Sequence, residues 1–234
     1  MWKRNAPAGN VSAPPGAAVE ARAAATDSLD RPLRQLRISV TDRCNFRCTY
    51  CMPKRAFGSR YRFLKHSEVL SFEEIARVTS IFAGLGVDKV RLTGGEPTLR
   101  RDLPRLVEKL ARISGLREIN LTTNGSRLTE LARPLRDAGL SRVTVSVDSL
   151  DDETFRAMND VDFPVGRVLD GLEAARAAGF QEIKVNSVVK RGLNDSAVPD
   201  IAEFFRWTGI NLRFIEFMDV GTTNRWQMRD VISA

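Results

Sequence analysis

The chain has 234 residues, a net charge of +7 at neutral pH and hydrophobic residues at 43% of its positions. This length is enough for one large α/β domain, and the sequence contains no apolar run that predicts a membrane span or a secretory signal. The excess of Lys and Arg indicates an anionic ligand or an acidic partner. Nucleic acid is the weaker interpretation, because no helix-turn-helix, zinc-finger or RNP-type pattern is present.

The first part of the chain differs in composition from the rest. Residues 1–33 are rich in Ala, Pro and Gly and show no hydrophobic periodicity. They are predicted to form a disordered N-terminal extension. Residues 34–234 are predicted to form the folded domain.

From Leu36 onwards the sequence repeats a unit of strand, loop and amphipathic helix, and each helix stops at a glycine. Ser71 and Glu74 predict a capping box at the start of the first helix, and Asp102 is a candidate cap for the second. The predicted strands cover residues 36–42, 89–93, 118–124, 142–148, 182–189 and 212–218. This order predicts a parallel sheet with right-handed crossovers.

Polar and apolar residues alternate along the predicted strands. A parallel strand buried on both faces would be apolar throughout, so one face of this sheet must line a wet interior. We therefore expect an α/β fold, a partial (β/α)6 TIM-type barrel with a polar, cation-lined interior. The residue after the first apolar position of each strand is, in order, Arg37, Arg91, Asn120, Thr144, Lys184 and Arg213.

Four of those six inward positions are basic, and the sequence offers few inward acids to neutralise them. Because buried charge is costly without a partner, the pattern predicts a polyanionic ligand, most simply phosphates. The alternative is a strand register shifted by one residue, which would leave these side chains in solvent.

Three cysteines, Cys44, Cys48 and Cys51, lie within eight residues and are the only cysteines of the chain. Three soft thiolates suit an iron–sulfur cluster, zinc or Cu(I), and they leave one metal position open. Surplus or merely buried cysteines are the alternative. An odd number of closely spaced cysteines argues against a disulfide framework, so we expect a reducing, cytoplasmic location.

The cysteines directly follow the first strand, and the second strand ends in Gly-Gly-Glu-Pro at residues 94–97. In barrels of this type, chemistry gathers on the loops after the carboxyl ends of the strands. Paired glycines let the backbone approach a small ligand closely. The sequence therefore predicts that both loops lie over the mouth of the polar interior.

Together these motifs resemble the radical S-adenosylmethionine (SAM) superfamily. More narrowly, residues 36–53, 121–125 and 213–221 resemble the GTP 3′,8-cyclases, which open molybdenum cofactor biosynthesis. The resemblance covers the chain from about Arg31 to its last residue. It implies a radical SAM lyase that converts GTP to (8S)-3′,8-cyclo-7,8-dihydroguanosine 5′-triphosphate.

The resemblance also implies the site residues. Cys44, Cys48 and Cys51 would hold a [4Fe–4S] cluster whose fourth iron binds SAM, and the resulting 5′-deoxyadenosyl radical would take the C3′ hydrogen of GTP. The implied SAM contacts are Tyr50, Gly95, Ser146 and Met218. The implied GTP contacts are Arg37, Arg91, Thr122 and Lys184, with Lys89 and Arg213 as further phosphate partners. No catalytic residue is implied beyond the cluster and SAM.

The family further implies an electron donor such as flavodoxin or ferredoxin, a homodimer, and a second [4Fe–4S] cluster on C-terminal cysteines. Because the sequence has only three cysteines, we expect a chain truncated at its C-terminus, and its competence alone stays open. Two alternatives remain. One is a radical SAM enzyme with another substrate. The other is a non-catalytic module that binds zinc, passes electrons, or only holds the first cluster and SAM. We expect no nucleic acid or membrane partner.

Overall fold

The computed structural model describes residues 25–221 and 223–233. Six parallel strands form one sheet in the order β1-β2-β3-β4-β5-β6, so each strand lies beside its neighbours in sequence. The strands are β1 Gln35–Ser39, β2 Lys89–Thr93, β3 Glu118–Thr123, β4 Arg142–Ser146, β5 Ile183–Val189 and β6 Asn211–Glu216. All six predicted strands are therefore confirmed, with ends that differ by up to three residues.

Helices connect the strands and cover one face of the sheet. They are α1 Phe72–Gly84, α2 Leu103–Ala111, α3 Leu128–Asp137, α4 Asp152–Asn159, α5 Val165–Ala177 and α6 Val198–Phe205. Among the described residues, none of these helices is long and apolar enough to cross a membrane. The strand–helix alternation confirms the predicted α/β architecture.

The ends of the first two helices test the capping predictions. The Ser71 hydroxyl accepts a 3.1 Å hydrogen bond from the Glu74 backbone, and the Glu74 carboxylate accepts one of 2.7 Å from the Ser71 backbone. The capping box is therefore confirmed. The predicted cap at Asp102 is wrong, because that residue has a left-handed backbone and its side chain makes no capping hydrogen bond. Leu103 and Pro104 follow it directly, so the chain turns sharply into α2.

The alternation along the strands separates core from interior as expected. Val90, Leu92, Val143 and Val145 are fully buried on the face that meets the helices. Their neighbours in sequence point to the opposite face, where most are polar. Because that face is not covered by helices, it lines the concave interior of the partial barrel.

Of the predicted disordered extension, residues 1–24 lie outside the described residues. Residues 25–33 form a turn that is closed by an antiparallel bridge between Thr26 and Pro32. The backbone N–H of Ala25 also donates a 2.9 Å hydrogen bond to the Leu85 carbonyl, just after α1. This short stretch therefore packs on the folded domain.

Candidate functional site

A cavity of about 170 Å³ lies at the carboxyl ends of β1 to β4. The three cysteines and the glycine motif at residues 94–97 meet there, although the sequence separates them by more than 40 residues. The cavity is lined by Arg37, Cys44, Phe46, Cys48, Tyr50, Cys51, Thr93, Gly94, Gly95, Glu96, Thr122, Thr123, Asn124, Ser146, Asp148, Phe155 and Asn159. Most of the residues that the resemblance implies for the cluster and SAM therefore share one cavity.

The cysteine loop, residues 44–51, is held by its own backbone against α4. The backbone N–H groups of Arg47 and Thr49 each donate a 2.9 Å hydrogen bond to carbonyls at the end of that helix. Phe46 is buried and lies 5.2 Å from the Phe163 ring, between centroids. The Arg47 guanidinium donates 2.7 Å hydrogen bonds to the carbonyls of Cys44 and Phe46. The loop is thus fixed in shape before any ligand binds.

The surroundings of all three thiols disfavour ionisation, including those of Cys51, the most exposed of the three. Burial raises the pKa of Cys44 to about 11, raises the pKa of Cys48 well above its ordinary value, and also raises that of Cys51. A bound metal cation reverses this preference, because it stabilises the thiolate. The donor set therefore fits a metal centre that supplies positive charge.

The thiols do not converge on one point. Within the described part of the chain, no three His, Cys, Asp or Glu side chains are grouped so that they could hold a single metal ion. An iron–sulfur cluster takes each thiolate on a separate iron, so it does not require that convergence. Three soft donors on one rigid loop match such a cluster with one iron left open.

The glycine motif lies directly against the start of the cysteine loop. The Gly95 backbone donates a 2.8 Å hydrogen bond to the Thr41 carbonyl, and the Glu96 backbone donates one of 2.7 Å to the Arg43 carbonyl. A Cβ on Gly95 would lie 2.3 Å from the Arg43 carbonyl oxygen. Only glycine permits this approach, so the motif sets the distance between the two loops.

Glu96 is almost fully buried and ties the glycine motif to the end of β3. Its carboxylate accepts hydrogen bonds from the Thr123 hydroxyl at 2.6 Å and from the Asn124 backbone at 2.7 Å. It also accepts one from the Thr98 backbone at 3.0 Å. Burial raises the pKa of Glu96, while these hydrogen bonds act against that rise. Because its oxygens already accept these hydrogen bonds, the Glu96 carboxylate holds the backbone of the glycine motif and of β3 in place and is not available as a general base.

Below the cavity, the inner face of the sheet carries a row of arginines. Arg37 and Arg91 are register partners on β1 and β2, and Arg91 faces Asn120 on β3. Burial, then repulsion from Arg213, Arg37 and Arg142, lowers the pKa of Arg91. Its Nε is buried without a hydrogen bond in the described structure. The row is therefore short of negative charge.

The six inward positions that the sequence pattern selects do not lie on one level of the sheet. Lys184 is the register partner of Asn211, whereas Arg213 is opposite Asn186. Thr144 lies beside Lys184, on the same level as Thr122. The parallel strands are staggered, so counting from the first apolar residue of each strand does not give the register.

The expectation of too few inward acids is also wrong for part of the inner face. Glu118 binds Lys89 with a 2.9 Å ion pair, and Glu182 binds Lys184 at 3.0 Å and Arg142 at 2.5 Å. These acids lie where β3 and β5 begin, and they neutralise Lys89, Lys184 and Arg142 at that end of the sheet. Within the described residues, Arg37, Arg91 and Arg213 form no ion pair.

The predicted site residues fall into two groups. Tyr50, Gly95 and Ser146, implied for SAM, line the 170 Å³ cavity with Arg37 and Thr122, implied for GTP. The others lie outside that lining: Arg91 and Lys184 are deeper on the inner face, and Met218 is 55% exposed after β6. The structure thus places the first group in one cavity, whereas Arg91, Lys184 and Met218 lie outside its lining.

Sequence reasoning missed Asn224. This buried residue donates hydrogen bonds of 3.0 Å to the Tyr50 carbonyl and 2.9 Å to the Met218 carbonyl. It therefore joins the cysteine loop to the segment after β6. No sequence signal marks it, because an Asn in a turn usually bonds to its own neighbours.

Comparison with known proteins gives the following similarities. The family model of the radical SAM superfamily matches residues 38–205. The chain is 57% identical over 208 residues to a GTP 3′,8-cyclase of Acidothermus cellulolyticus, covering 89% of this chain and 58% of that protein. It is 48% identical over 208 residues to a GTP 3′,8-cyclase of Staphylococcus saprophyticus, covering 89% and 61%. The chain spans about three fifths of the length of these relatives.

Solved structures share the fold at low identity. Streptococcus suis SuiB bound to S-adenosylmethionine matches with a TM-score of 0.67 and 16% identity, over 82% of this chain and 43% of that one. Native anSMEcpe with bound AdoMet and a peptide matches with a TM-score of 0.63 and 20% identity, over 79% and 51%. These likenesses confirm the α/β partial barrel.

Proposed function

Because this chain belongs to the radical SAM superfamily, we propose that it acts as a GTP 3′,8-cyclase in the first step of molybdenum cofactor biosynthesis. The similarity to proteins of that name supports the choice of substrate. When bound, a [4Fe–4S] cluster and SAM supply a 5′-deoxyadenosyl radical, which can take a hydrogen atom from a ribose carbon. The protein's own residues would bind, orient and shield the reactants.

We assign the cluster to Cys44, Cys48 and Cys51. Their loop is rigid, their burial disfavours the free thiolate, and three soft donors leave one iron open. SAM would be contacted at Tyr50 and at Gly95, with Ser146 and Met218 as further contacts. The position of Gly95 supports this assignment, because it lines the same cavity as the three cysteines.

The arginine row is the single observation that carries the choice of a nucleoside triphosphate. Arg37 and Arg91 are neighbours across two strands, Arg91 has a buried Nε without a partner, and no described acid pairs with either. Guanidinium groups form bidentate hydrogen bonds with phosphate, so a polyphosphate would neutralise the charge of this row and accept its hydrogen bonds.

Thr122 and Lys184 complete the proposed GTP contacts. The Thr122 hydroxyl is buried on the inner face without a hydrogen bond in the described structure, so it is free to bind a ligand group. Lys184 is held by Glu182 at 3.0 Å, which fixes its ammonium in place. Two further inner-face oxygens, on Asn120 and Asn186, are likewise without hydrogen bonds. The inner face therefore carries polar atoms that can form hydrogen bonds with a polar ligand.

The proposal includes an external one-electron donor, flavodoxin or ferredoxin. It also includes the homodimer and the second [4Fe–4S] cluster, which are supported by the family resemblance alone. The three cysteines of this sequence all belong to the cysteine loop, so the second cluster would need ligands from elsewhere.

Anaerobic reconstitution tests the proposal. The protein is loaded with iron and sulfide and mixed with SAM, dithionite and GTP, and then 5′-deoxyadenosine and GTP products are measured. We expect 5′-deoxyadenosine and the 3′,8-cyclised nucleotide. Replacing all three cysteines by Ala should abolish both, together with the cluster absorbance. A loaded cluster that forms no 5′-deoxyadenosine would contradict the assignment.

A further inference from the structure

The cysteine loop and the segment that follows it carry a strong positive charge that the proposed reaction does not use. From residue 43 to residue 67 the sequence contains seven Lys or Arg residues and no Asp or Glu. They are Arg43, Arg47, Lys54, Arg55, Arg60, Arg62 and Lys65. We call residues 52–67 the basic loop. Such a one-sided run raises the local potential and attracts anionic partners.

Part of this charge is not neutralised by the protein itself. Arg60, Arg62 and Lys65 are exposed, and they form no ion pair with any described residue. By contrast, Lys54 pairs with Asp160 at 2.8 Å, and Arg55 donates to the Thr223 carbonyl. The first three cations therefore present a free positive surface, while the other two anchor the loop.

The centre of the basic loop is aromatic. Phe57, Tyr61 and Phe63 pack in series, with ring centroids 4.7 and 4.8 Å apart. Tyr61 and Leu64 are each nearly half exposed, so a small apolar patch lies among the cations. An apolar centre with a charged rim is the usual anatomy of a protein interface.

These rings are poorly placed to bind a nucleic acid. Phe57 and Phe63 both contact Tyr61, and the guanidinium groups of Arg43 and Arg47 lie 5.8 and 5.6 Å from the Phe63 centroid. Single-stranded nucleic acids need open aromatic faces on which bases can stack. The aromatic patch therefore favours a protein partner.

The basic loop is joined directly to the thiols. It begins at the residue after Cys51, which is itself exposed. Arg47, between the first two cysteines, donates hydrogen bonds of 2.7 Å to the Cys44 carbonyl and 2.9 Å to the Phe57 carbonyl. A cleft of about 670 Å³ runs between the two loops and contains no acidic side chain in its lining. A partner on this surface would lie beside the cluster site.

We propose that the basic loop is the docking surface for an acidic one-electron carrier protein with a flavin or iron–sulfur centre. The inference rests on the proposed function, which needs one electron from outside the chain. In the docked pair the carrier is oxidised by one electron and the cysteine-bound centre is reduced by one, without transfer of a proton or an atom. Interfaces of this class are small and depend on charge for fast association.

The test compares two charge reversals of equal size. Arg60→Glu with Arg62→Glu changes the basic loop, and Arg112→Glu with Arg133→Glu changes exposed arginines on the outer helical layer. Binding of a purified acidic flavodoxin to each variant of the 234-residue chain is measured by fluorescence anisotropy at several salt concentrations. We expect the basic-loop variant to bind about tenfold more weakly or worse, and the control to stay within about twofold of the unchanged protein.

Stopped-flow absorbance adds a redox readout on the cluster-loaded proteins. Reduction by reduced flavodoxin should slow in the basic-loop variant, while reduction by dithionite, which needs no docking, should match the control. Equal flavodoxin binding by both variants would overturn the proposal. A single-stranded RNA of about 20 nucleotides that displaces flavodoxin and binds more tightly would overturn it in favour of nucleic acid.

The two proposals fail separately. Flavodoxin binding is measured without SAM or GTP, so it reports on docking alone. Formation of 5′-deoxyadenosine by the unchanged protein with dithionite reports on the proposed function alone. If flavodoxin binds but no 5′-deoxyadenosine forms, the basic loop would still bind an acidic partner, and the cyclase assignment would be wrong.

Discussion

The Tyr50 hydroxyl donates a 2.7 Å hydrogen bond to Oδ2 of Asp148, which lies 98 positions later in the chain. The other oxygen of Asp148 accepts a 2.9 Å hydrogen bond from the Val188 backbone. Burial raises the pKa of Asp148 to about 6, although both hydrogen bonds act to lower it. One carboxylate thus joins the cysteine loop to β4 and β5.

The raised pKa of Asp148 predicts how stability depends on pH. In the folded protein the Asp148 carboxyl group keeps its proton up to about pH 6, whereas in the unfolded chain it loses the proton near its ordinary pKa of 3.8. Stability from this group is therefore present at low pH and lost as pH rises through that window, by roughly 3 kcal/mol. Asp148→Asn removes the titration.

Urea unfolding of the two proteins between pH 4 and pH 7 checks this expectation. The free energy of unfolding of Asp148→Asn, relative to that of the unchanged protein, should rise across the window by roughly 3 kcal/mol. A difference that stays constant with pH would mean that Asp148 is not buried in the way described.

Gly95→Ala should disrupt the contact between the glycine motif and the cysteine loop. The new Cβ would lie 2.3 Å from the Arg43 carbonyl oxygen, so the backbone before Cys44 would have to move. We expect a loss of about 1–3 kcal/mol in stability and reduced iron uptake on reconstitution. The control is Gly166→Ala in α5, where a Cβ meets nothing within 4 Å.

That control should be neutral or stabilising by about 0.5–1 kcal/mol, because alanine favours a helix. Thermal unfolding and iron content together decide the matter. If both alanine variants load iron equally, then the close approach at Gly95 does not position the cysteine loop.

Asn224 should tolerate loss of its amide better than replacement of the amide by a carboxylate. Asn224→Ala removes two hydrogen bonds to the carbonyls of Tyr50 and Met218, at a cost of about 1–3 kcal/mol. Asn224→Asp keeps the shape but points a carboxylate oxygen at both carbonyls, so it should cost more. Urea unfolding at pH 8 gives the order, and Ala more harmful than Asp would contradict the donor role.

Arg91 is the most exacting test of the arginine row. Arg91→Ala should weaken GTP binding by about 1.5–3 kcal/mol, which is roughly 10- to 150-fold in Kd, because a charged hydrogen-bond donor is lost. Arg91→Lys should recover only part of this, since lysine lacks the two-pronged geometry. Isothermal titration with GTP measures both, and Arg112→Ala is the matched control.

The fold was largely predictable from the sequence. Alternation along each strand, and a glycine shortly after every helix except α4, are local signals that report directly on burial and on backbone shape. The capping box at Ser71 and Glu74 is local too, and the structure contains it. Asp102 is a residue type that often caps helices, but it does not cap α2, because its backbone is left-handed.

The details of the inner face were less predictable. Strand stagger decides that Arg213 is opposite Asn186, and it appears only in the pairing of two strands that are separate in sequence. Glu118 and Glu182 come at the starts of strands, where a sequence pattern does not tell an inward acid from a loop residue. Their ion pairs with Lys89 and Lys184 therefore appear only in three dimensions.

The sheet is an arc, because among the described strands β1 and β6 each have only one hydrogen-bonded neighbour. In a closed barrel the number of strands and their stagger fix the diameter. An arc has no such constraint, so the helices outside and the ligand inside set its curvature. The concave face can therefore change its curvature around ligands of different size without breaking the hydrogen bonds between paired strands.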